Sequence, residues 1–585
     1  MIRKKALPSA SAQLLFACFL ALGCNSQATP RPAEAASATA GAQTGASAAD
    51  VAGAAPLLQA IAARGTLADL QRPNFTDYKL HVQHVYEPGS YAPLWVRGGQ
   101  VTPQAMAVIS ALESSKLKGL NPDDYDASLW TQRLAALKGP GVSADTVANF
   151  DAALTVGTMR YISDLHIGRV NPRQFKFGID IEQKKYQLPD LLLQRIVNGS
   201  NIPEVLAEVE PQWLNYKRLE AALQTYEKLA AQESGEKGFP LPDVAKTLSP
   251  GDPYAGVGGL ADRLRLVGDL PPATVVDTSD GLYDGALVDA VKHFQVRHGI
   301  APDGKLGKDT IRQLNVPLSV RVTQLEDALE RWRWLPPTFD PLPVLVNIPE
   351  FVLRVFNPDH SVAIRMNVIA GKSVGHQTPV FAQEMRYIVF RPYWNVPPSI
   401  ARGEIVAHLL KDPGYLGKKG FEITDRNGTV VASGSATPEQ IAELRASRLM
   451  VRQKPAADNA LGLIKFIFPN DNNVYLHSTP SQTLFSQSRR DFSHGCIRVE
   501  HPADLAAFLL KSQPGDQKWT VDAVKAAMQS GPDNQQINLG IPVPVVIAYL
   551  TAVVEENGDV YFFNDIYGHD KELDAVLAKG PPYPG

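Results

Sequence analysis

Cysteine is nearly absent from this 585-residue chain: Cys18 and Cys24 sit in an N-terminal apolar segment, so the body that follows keeps the single thiol of Cys496. One thiol excludes a structural disulfide within that body and any Cys-rich zinc module. The apolar run near the N-terminus falls short of the ~20 residues a membrane-spanning helix needs. A composition of 44% hydrophobic and 20% charged residues is ordinary for protein folded in water, which excludes a disordered polymer and a multi-span membrane protein. No sign of charge dominates, because 57 Lys+Arg against 60 Asp+Glu leave −3, without the basic excess that nucleic-acid binding requires. No His-Glu-x-x-His string is present either. The length itself suggests roughly three or four domains.

Arg3, Lys4 and Lys5 precede the apolar stretch Leu14 to Leu22, and Gly23 and Cys24 follow it. This is the anatomy of a secretory signal over residues 1–24, so the mature protein is expected outside the cytoplasm. Ala21-Leu22-Gly23-Cys24 resembles a bacterial lipobox, in which the cysteine is lipidated and opens the mature chain. Lipidation at Cys24 and plain cleavage both stay open. Residues 25–56 read as a flexible linker, since 13 of the 29 residues from Ala28 to Pro56 are alanine, interleaved with Ser, Thr, Gly and Pro.

From Leu57 to about residue 248 the pattern is mainly helical, with Ile109, Leu112, Leu154, Met159 and Ile162 spaced between charged turns. His81 and His84 share a helix face there, but two histidines without a third ligand read better as surface or core residues than as a metal site. Residues 249–317 read as a small helical module, in which Leu287, Ala290, Val291 and Phe294 form one stripe at i, i+3, i+4, i+7. Gly299 closes that helix, Ala301-Pro302-Asp303-Gly304 supplies a turn, and a second short helix carries Ile311 and Leu314. The string from Gly281 to Asn315 resembles the type 1 peptidoglycan-binding domain, and wall binding is what that resemblance implies.

A linking helix is expected within 318–341, carrying Leu325, Ala328, Leu329 and Trp332. Beyond Pro336-Pro337 short β-branched runs begin: Val344 to Ile348, Phe351 to Phe356, Ala363 to Ala370 and Tyr387 to Phe390, bounded by Gly, Pro and Asn turns. A β-rich domain is therefore expected over 342–575. Polar sequence at 399–460 interrupts it with one helix, opened by a capping box in which Thr437 caps, Pro438 takes the first turn and Gln440 sits at the reciprocal position. Such an insertion could cover a cleft as a lid.

Chemistry concentrates in Val474-Tyr475-Leu476-His477-Ser478 and Ser493-His494-Gly495-Cys496-Ile497-Arg498. Gly495 lets a substrate backbone approach Cys496, and a cysteine becomes a good nucleophile when a neighbouring imidazole takes its proton. His477, which ends a strand-like run, and His494, two residues from the sulfur, are the candidate bases.

His477, fifteen intervening residues and Ser493-His494-Gly495-Cys496 resemble the signature of YkuD-type L,D-transpeptidases, and Ile497-Arg498 resembles their large periplasmic YcbB-type branch. Matching strings extend through Glu330-Arg331-Trp332-Arg333-Trp334, Tyr393 to Pro398, Asn459-Ala460-Leu461-Gly462, Lys465-Phe466 and Phe468-Pro469-Asn470. The resemblance implies a multidomain α+β protein: a helical scaffold domain, a small peptidoglycan-binding module and a β-rich catalytic domain with a capping insertion. It implies Cys496 as nucleophile and His477 as base, with Ser493, His494 and Gly495 shaping the nucleophile loop and its oxyanion hole. Arg498, Tyr475, Ser478 and Trp394 are candidate substrate-binding residues. The expected partners are peptidoglycan stem peptides and glycan strands, with other cell-wall synthesis enzymes as further candidates, no nucleic acid, and a membrane only through a lipid anchor. The expected location is the periplasm, no cofactor or metal is expected, and carbapenems are expected to acylate Cys496. Two rivals stand beside this reading: a zinc hydrolase ligated by His477, His494 and Cys496, and a wall-binding scaffold with a degenerate catalytic domain.

Overall fold

Helix-period apolar residues dictate the first third of the molecule. The computed structural model describes residues 53–138, 142–233, 239–514 and 518–583, so the signal segment, Cys24 and nearly all of the linker lie outside the described residues. Helices run at Ala54–Arg64, Lys79–Tyr86, Pro103–Glu113, Trp130–Ala136, Ala144–Ile167 and Ile202–Val209. The first starts inside the stretch expected to be linker. Local chemistry fixes two of their starts: Thr102 accepts from the Ala105 amide ahead of Pro103, and Ser143 accepts from the Thr146 amide. Ala144–Ile167 is buried along most of its length and forms the axis of a core that includes Leu112, Trp130, Leu154 and Ile162.

That core closes at Val209. The next helix, Leu214–Glu233, packs against Leu318–Trp334 and shares its core with the β-rich domain. Leu318–Trp334 is thus more than a link, because three of its buried charged residues bond to other elements. Glu330 accepts from the amides of Arg169 (2.5 Å) and Val170 (3.2 Å), Arg331 bonds Asp570 at 2.5 Å, and Arg333 bonds the Tyr216 hydroxyl at 3.0 Å. Leaving one such buried charge without its partner costs about 3–5 kcal/mol, so the helix clamps the helical region to the β-rich domain.

The small module has three helices, Val257–Leu266, Ala286–Arg297 and Lys308–Leu314, around the expected Leu287, Ala290, Val291 and Phe294 stripe. Gly299 (φ +62°) and Gly304 (φ +67°) take the left-handed turns beyond the second helix. Arg297 holds Asp269 within the module and donates to the Val560 carbonyl at 2.7 Å, which fixes the module to the β-rich domain.

In that domain, strands Val344–Asn347, Val352–Phe356, Val362–Gly371, Phe381–Phe390, Ile464–Ile467, Leu476–His477, Ile497–Val499 and Gln535–Ala548 form one sheet. Pairing of Val352–Phe356 with Val362–Gly371 closes it on itself, and Asp491–Ser493 adds to the end of Val362–Gly371. Fully buried runs such as Val344–Asn347 mark strands covered on both faces.

The insertion is richer than the single helix expected. It holds helices at Val406–Lys411, Tyr415–Lys418 and Pro438–Arg445, and three strands that join Trp394–Asn395 in a separate four-stranded sheet, Met450–Gln453 pairing with it directly. Val396, Leu409, Phe421, Ile423 and Leu444 give it a core of its own. Both bonds of the Thr437/Gln440 capping box are present.

Candidate active site

Strand register brings four side chains to one face. Leu476 pairs with Ile497 and His477 with Arg498 in parallel strands, while His477 also pairs with Lys465. Side chains alternate along a strand, so Tyr475, His477, Cys496 and Arg498 share one face while Leu476 and Ile497 point into the core. The 5.8 Å edge-on contact between the Tyr475 and His477 rings agrees. Two short motifs, fifteen residues apart between His477 and Ser493, thus come together on one face.

Nearby groups fix the loop that carries Cys496. The Ser493 hydroxyl accepts from the Gly495 amide at 3.1 Å and donates to the Cys496 carbonyl at 2.5 Å. Gly495 has φ +115°, a conformation side-chain-bearing residues rarely adopt. Its carbonyl accepts from Thr378 at 2.8 Å, and Tyr567 braces the same corner by donating to the Gly371 carbonyl at 2.6 Å. The Gly495 amide is occupied, whereas the Cys496 amide has no acceptor among the described residues.

Protonation follows from burial. His477 is buried, and its Nδ1 lies 2.6 Å from the Ser478 carbonyl; a carbonyl only accepts, so Nδ1 carries the proton and Nε2 offers its lone pair. Burial, with Arg498 and Lys465 nearby, pulls its pKa down to about 3, against the upward pull of backbone hydrogen bonds. Burial raises the Cys496 thiol, while the amide and hydroxyl of Tyr475 and the Arg498 charge pull it down. The thiol donates to the Asn473 carbonyl at 3.7 Å. The resting pair at neutral pH is therefore thiol and neutral imidazole.

The other expected residues differ in their surroundings. Arg498 makes no ion pair among the described residues, and its Nε is buried without a hydrogen-bond partner, which leaves the guanidinium open to a carboxylate from outside. The Ser478 hydroxyl is committed within the protein: it donates to the Leu461 carbonyl at 3.1 Å and accepts from the Leu463 amide at 2.8 Å. Half-buried Trp394 pairs with Gln453 in the inserted sheet and packs against the insertion's own core, with Phe421 6.1 Å away. His494 turns toward the insertion, where its Nε2 meets Glu404 at 2.7 Å, and His376 packs edge-on against it at 4.6 Å. Among the described residues, no cluster of three or more His, Cys, Asp or Glu is placed to hold a metal ion, the set of His477, His494 and Cys496 included.

Sequence reasoning did not single out Glu404, His376, Thr378 or Tyr567, each of which acts across a long gap in the chain. Asn459 and Gly462 stood only within a matching string. Asn459, fully buried, donates to the Lys454 carbonyl at 2.9 Å and accepts from the Leu461 amide at 2.8 Å, fastening the root of the insertion. Gly462 (φ +61°) lies so close to Ser478 that an added Cβ would stand 2.0 Å from its Oγ.

Comparison with known families finds three matches along the chain. Residues 81–223 match a family described as "Scaffold domain", residues 256–314 one described as "Putative peptidoglycan binding domain", and residues 343–526 the YkuD family, described as "L,D-transpeptidase catalytic domain". A 233-residue stretch is 32% identical to a Haemophilus influenzae protein named "Putative L,D-transpeptidase" and covers 40% of this chain. The chain spans 45% of that relative's length.

Proposed function

From a chain that carries a YkuD-type L,D-transpeptidase catalytic domain together with a scaffold domain and a peptidoglycan-binding domain, we propose an enzyme that cross-links peptidoglycan stem peptides through a Cys496 thioester. The observation that carries this reading is the shared strand face holding Cys496, the neutral Nε2 of His477 and the unpaired Arg498.

In the first step Cys496 Sγ attacks the carbonyl carbon linking the third stem residue, diaminopimelate, to terminal D-Ala, and its proton passes to His477 Nε2. The developing oxyanion is met by the Cys496 amide. Collapse breaks the C–N bond, His477 returns the proton to the leaving amine, and D-Ala departs from a thioester. The side-chain amine of a second diaminopimelate then attacks the thioester, gives its proton to His477 and so to sulfur, and leaves an amide cross-link with the thiol restored. Arg498 holds a substrate carboxylate, and the insertion restrains water during the thioester's lifetime. Such chemistry belongs outside the cytoplasm. Among the described residues no helix is long and apolar enough to cross a membrane.

The test incubates the chain with diaminopimelate-containing disaccharide tetrapeptide, alongside Cys496→Ala, and follows protein and products by mass spectrometry. A thioester adduct and a cross-linked dimer, both lost in Cys496→Ala, are expected, as is a carbapenem adduct on Cys496. Activity surviving in Cys496→Ala would overturn the mechanism, and tripeptide alone would make the enzyme a carboxypeptidase.

A further inference from the structure

An open cleft of about 730 Å³ separates the small helical module from the catalytic domain. Val296 and the turn at Gly299 to Pro302 form the module's wall; Arg365 and Asn367, residues 485–488, Arg490 and Tyr561 form the other. We propose that this cleft seats a glycan strand, so that a stem peptide carried on the strand reaches Cys496; the proposal rests on the transpeptidase reading above and gives that reaction its polymer-binding site.

The chemistry of the walls points to sugar. The cations of the catalytic wall are already engaged: Arg365 reaches Glu350 at 3.4 Å and Glu555 at 3.7 Å, and Arg490 donates to the Gln487 and Phe351 carbonyls at 2.6 and 3.0 Å. No cluster of unpaired cations is left there to suit a phosphate backbone. What the cleft offers instead is the half-buried ring of Tyr561, stacked 6.4 Å from Phe563, the exposed apolar Val296, and the exposed uncharged Ser486, Gln487 and Ser488. An aromatic face beside neutral hydrogen-bonding groups suits pyranose rings, which present apolar C–H faces and a rim of hydroxyls.

Strand geometry supplies the reach. Arg365, Asn367 and Ile369 alternate onto one face of Val362–Gly371, and Ile369 pairs with Arg498, so they share the sheet face that carries His477 and Cys496. Continuing that antiparallel register sets Gly371 across from Cys496. Asn367 is four residues short of Gly371, so one strand step sideways puts the cleft about 14 Å from the nucleophile, at ~3.3 Å per residue and ~4.8 Å between strands. An extended peptide of four residues spans about 13–14 Å. The short helix Gln482–Ser486 ends in the cleft wall, with Phe485 buried.

The test titrates the Cys496→Ala chain by calorimetry with three probes: glycan chains of several disaccharides bearing tetrapeptide stems, disaccharide tetrapeptide, and free tetrapeptide. The chains are expected to bind at least tenfold tighter than the disaccharide. Val296→Glu, at an exposed position, and Tyr561→Ala are each expected to weaken chain binding about tenfold, while Val275→Glu, exposed on the module outside the cleft, leaves it unchanged. Thermal melting checks that Tyr561→Ala folds. Equal affinity for chain and disaccharide, or unchanged chain binding in Val296→Glu, would overturn the proposal; so would free tetrapeptide losing as much affinity as the chains, which would make the cleft a peptide site. Thioester formation by the unaltered enzyme on disaccharide tetrapeptide is read separately. Cleft-dependent chain binding without a thioester retires the chemistry and keeps the site, and a thioester without cleft dependence does the reverse.

Discussion

Cys496 and His477, the proposed nucleophile and base, are each held by burial toward the uncharged form. Burial raises the thiol while it drives the imidazole down to about 3, so at pH 7 neither is charged, and the proton must move during attack. Alkylation of Cys496 by iodoacetamide is therefore expected to be slow at pH 7 and to climb through the alkaline range with no step near pH 6–7. His477→Gln is expected to cost about 10²–10⁴ in acyl transfer while leaving the midpoint of that alkylation profile in place. Rapid alkylation at pH 6 that vanished in His477→Gln would instead reveal a thiolate–imidazolium pair. Gly462 is the second residue whose identity is forced. Gly462→Ala sets a Cβ 2.0 Å from Ser478 Oγ at φ +61°, pushing on the residue that holds His477 Nδ1. About 1–3 kcal/mol of stability and most of the activity are expected to go together. Gly428→Ala is the control: its φ is +85° but an added Cβ meets nothing within 4 Å, so it pays the backbone strain alone and keeps activity. Melting temperature and turnover of the two variants decide the point.

At the scale of elements, what could be read from the sequence was local. The strands from Val344 to Phe390 announce themselves as β-branched runs, and Thr437 and Gln440 lie three residues apart, within reach of one capping box. The sheet of the insertion did not, because Phe421–Thr424 and Met450–Gln453 are four-residue runs that pair across a long stretch of chain holding the helix Pro438–Arg445. Helix Leu214–Glu233 read as one more scaffold helix for the same reason: its partner, Leu318–Trp334, lies far along the chain. Cys496 stood out as the body's one thiol and the family resemblance alone set His477 apart from His494, whereas Glu404 is one acid among many and meets His494 only across 90 residues. That contact joins the insertion to the nucleophile loop. With Glu404 about half exposed, it contributes about 0–1 kcal/mol to stability. Glu404→Gln should therefore melt close to the parent while loosening the cover over the thioester. The expected result is a several-fold rise in the ratio of hydrolysed tripeptide to cross-linked dimer, read by mass spectrometry; an unchanged ratio would leave the contact without a role in excluding water.

For the whole molecule, pH acts on stability through groups buried where the helical region meets the Leu318–Trp334 helix. Asp164 accepts from the Tyr125 hydroxyl at 2.7 Å, and burial, with Glu330 adding to it, lifts its carboxyl to about 8 against the opposing pull of Tyr125 and Arg169. The folded protein therefore keeps this proton up to about pH 8, whereas the unfolded chain releases it near 3.8. Between those values the native state binds more protons than the unfolded one, so the contribution of Asp164 to stability falls as pH rises, and the loss is complete above pH 8. At about 1.4 kcal/mol per unit the ceiling is about 6 kcal/mol, reduced wherever neighbouring dipoles relax. His477 has the opposite sign: its depressed pKa means that stability is lost as pH falls from 6.5 toward 3. Asp164→Asn keeps an acceptor for Tyr125 and removes the titration. Its melting temperature is expected to match the parent near pH 4 and to exceed it by a margin that widens up to pH 8. Curves that ran parallel across that range would mean that Asp164 ionises in the folded protein, with Arg169 compensating the charge in place of the proton.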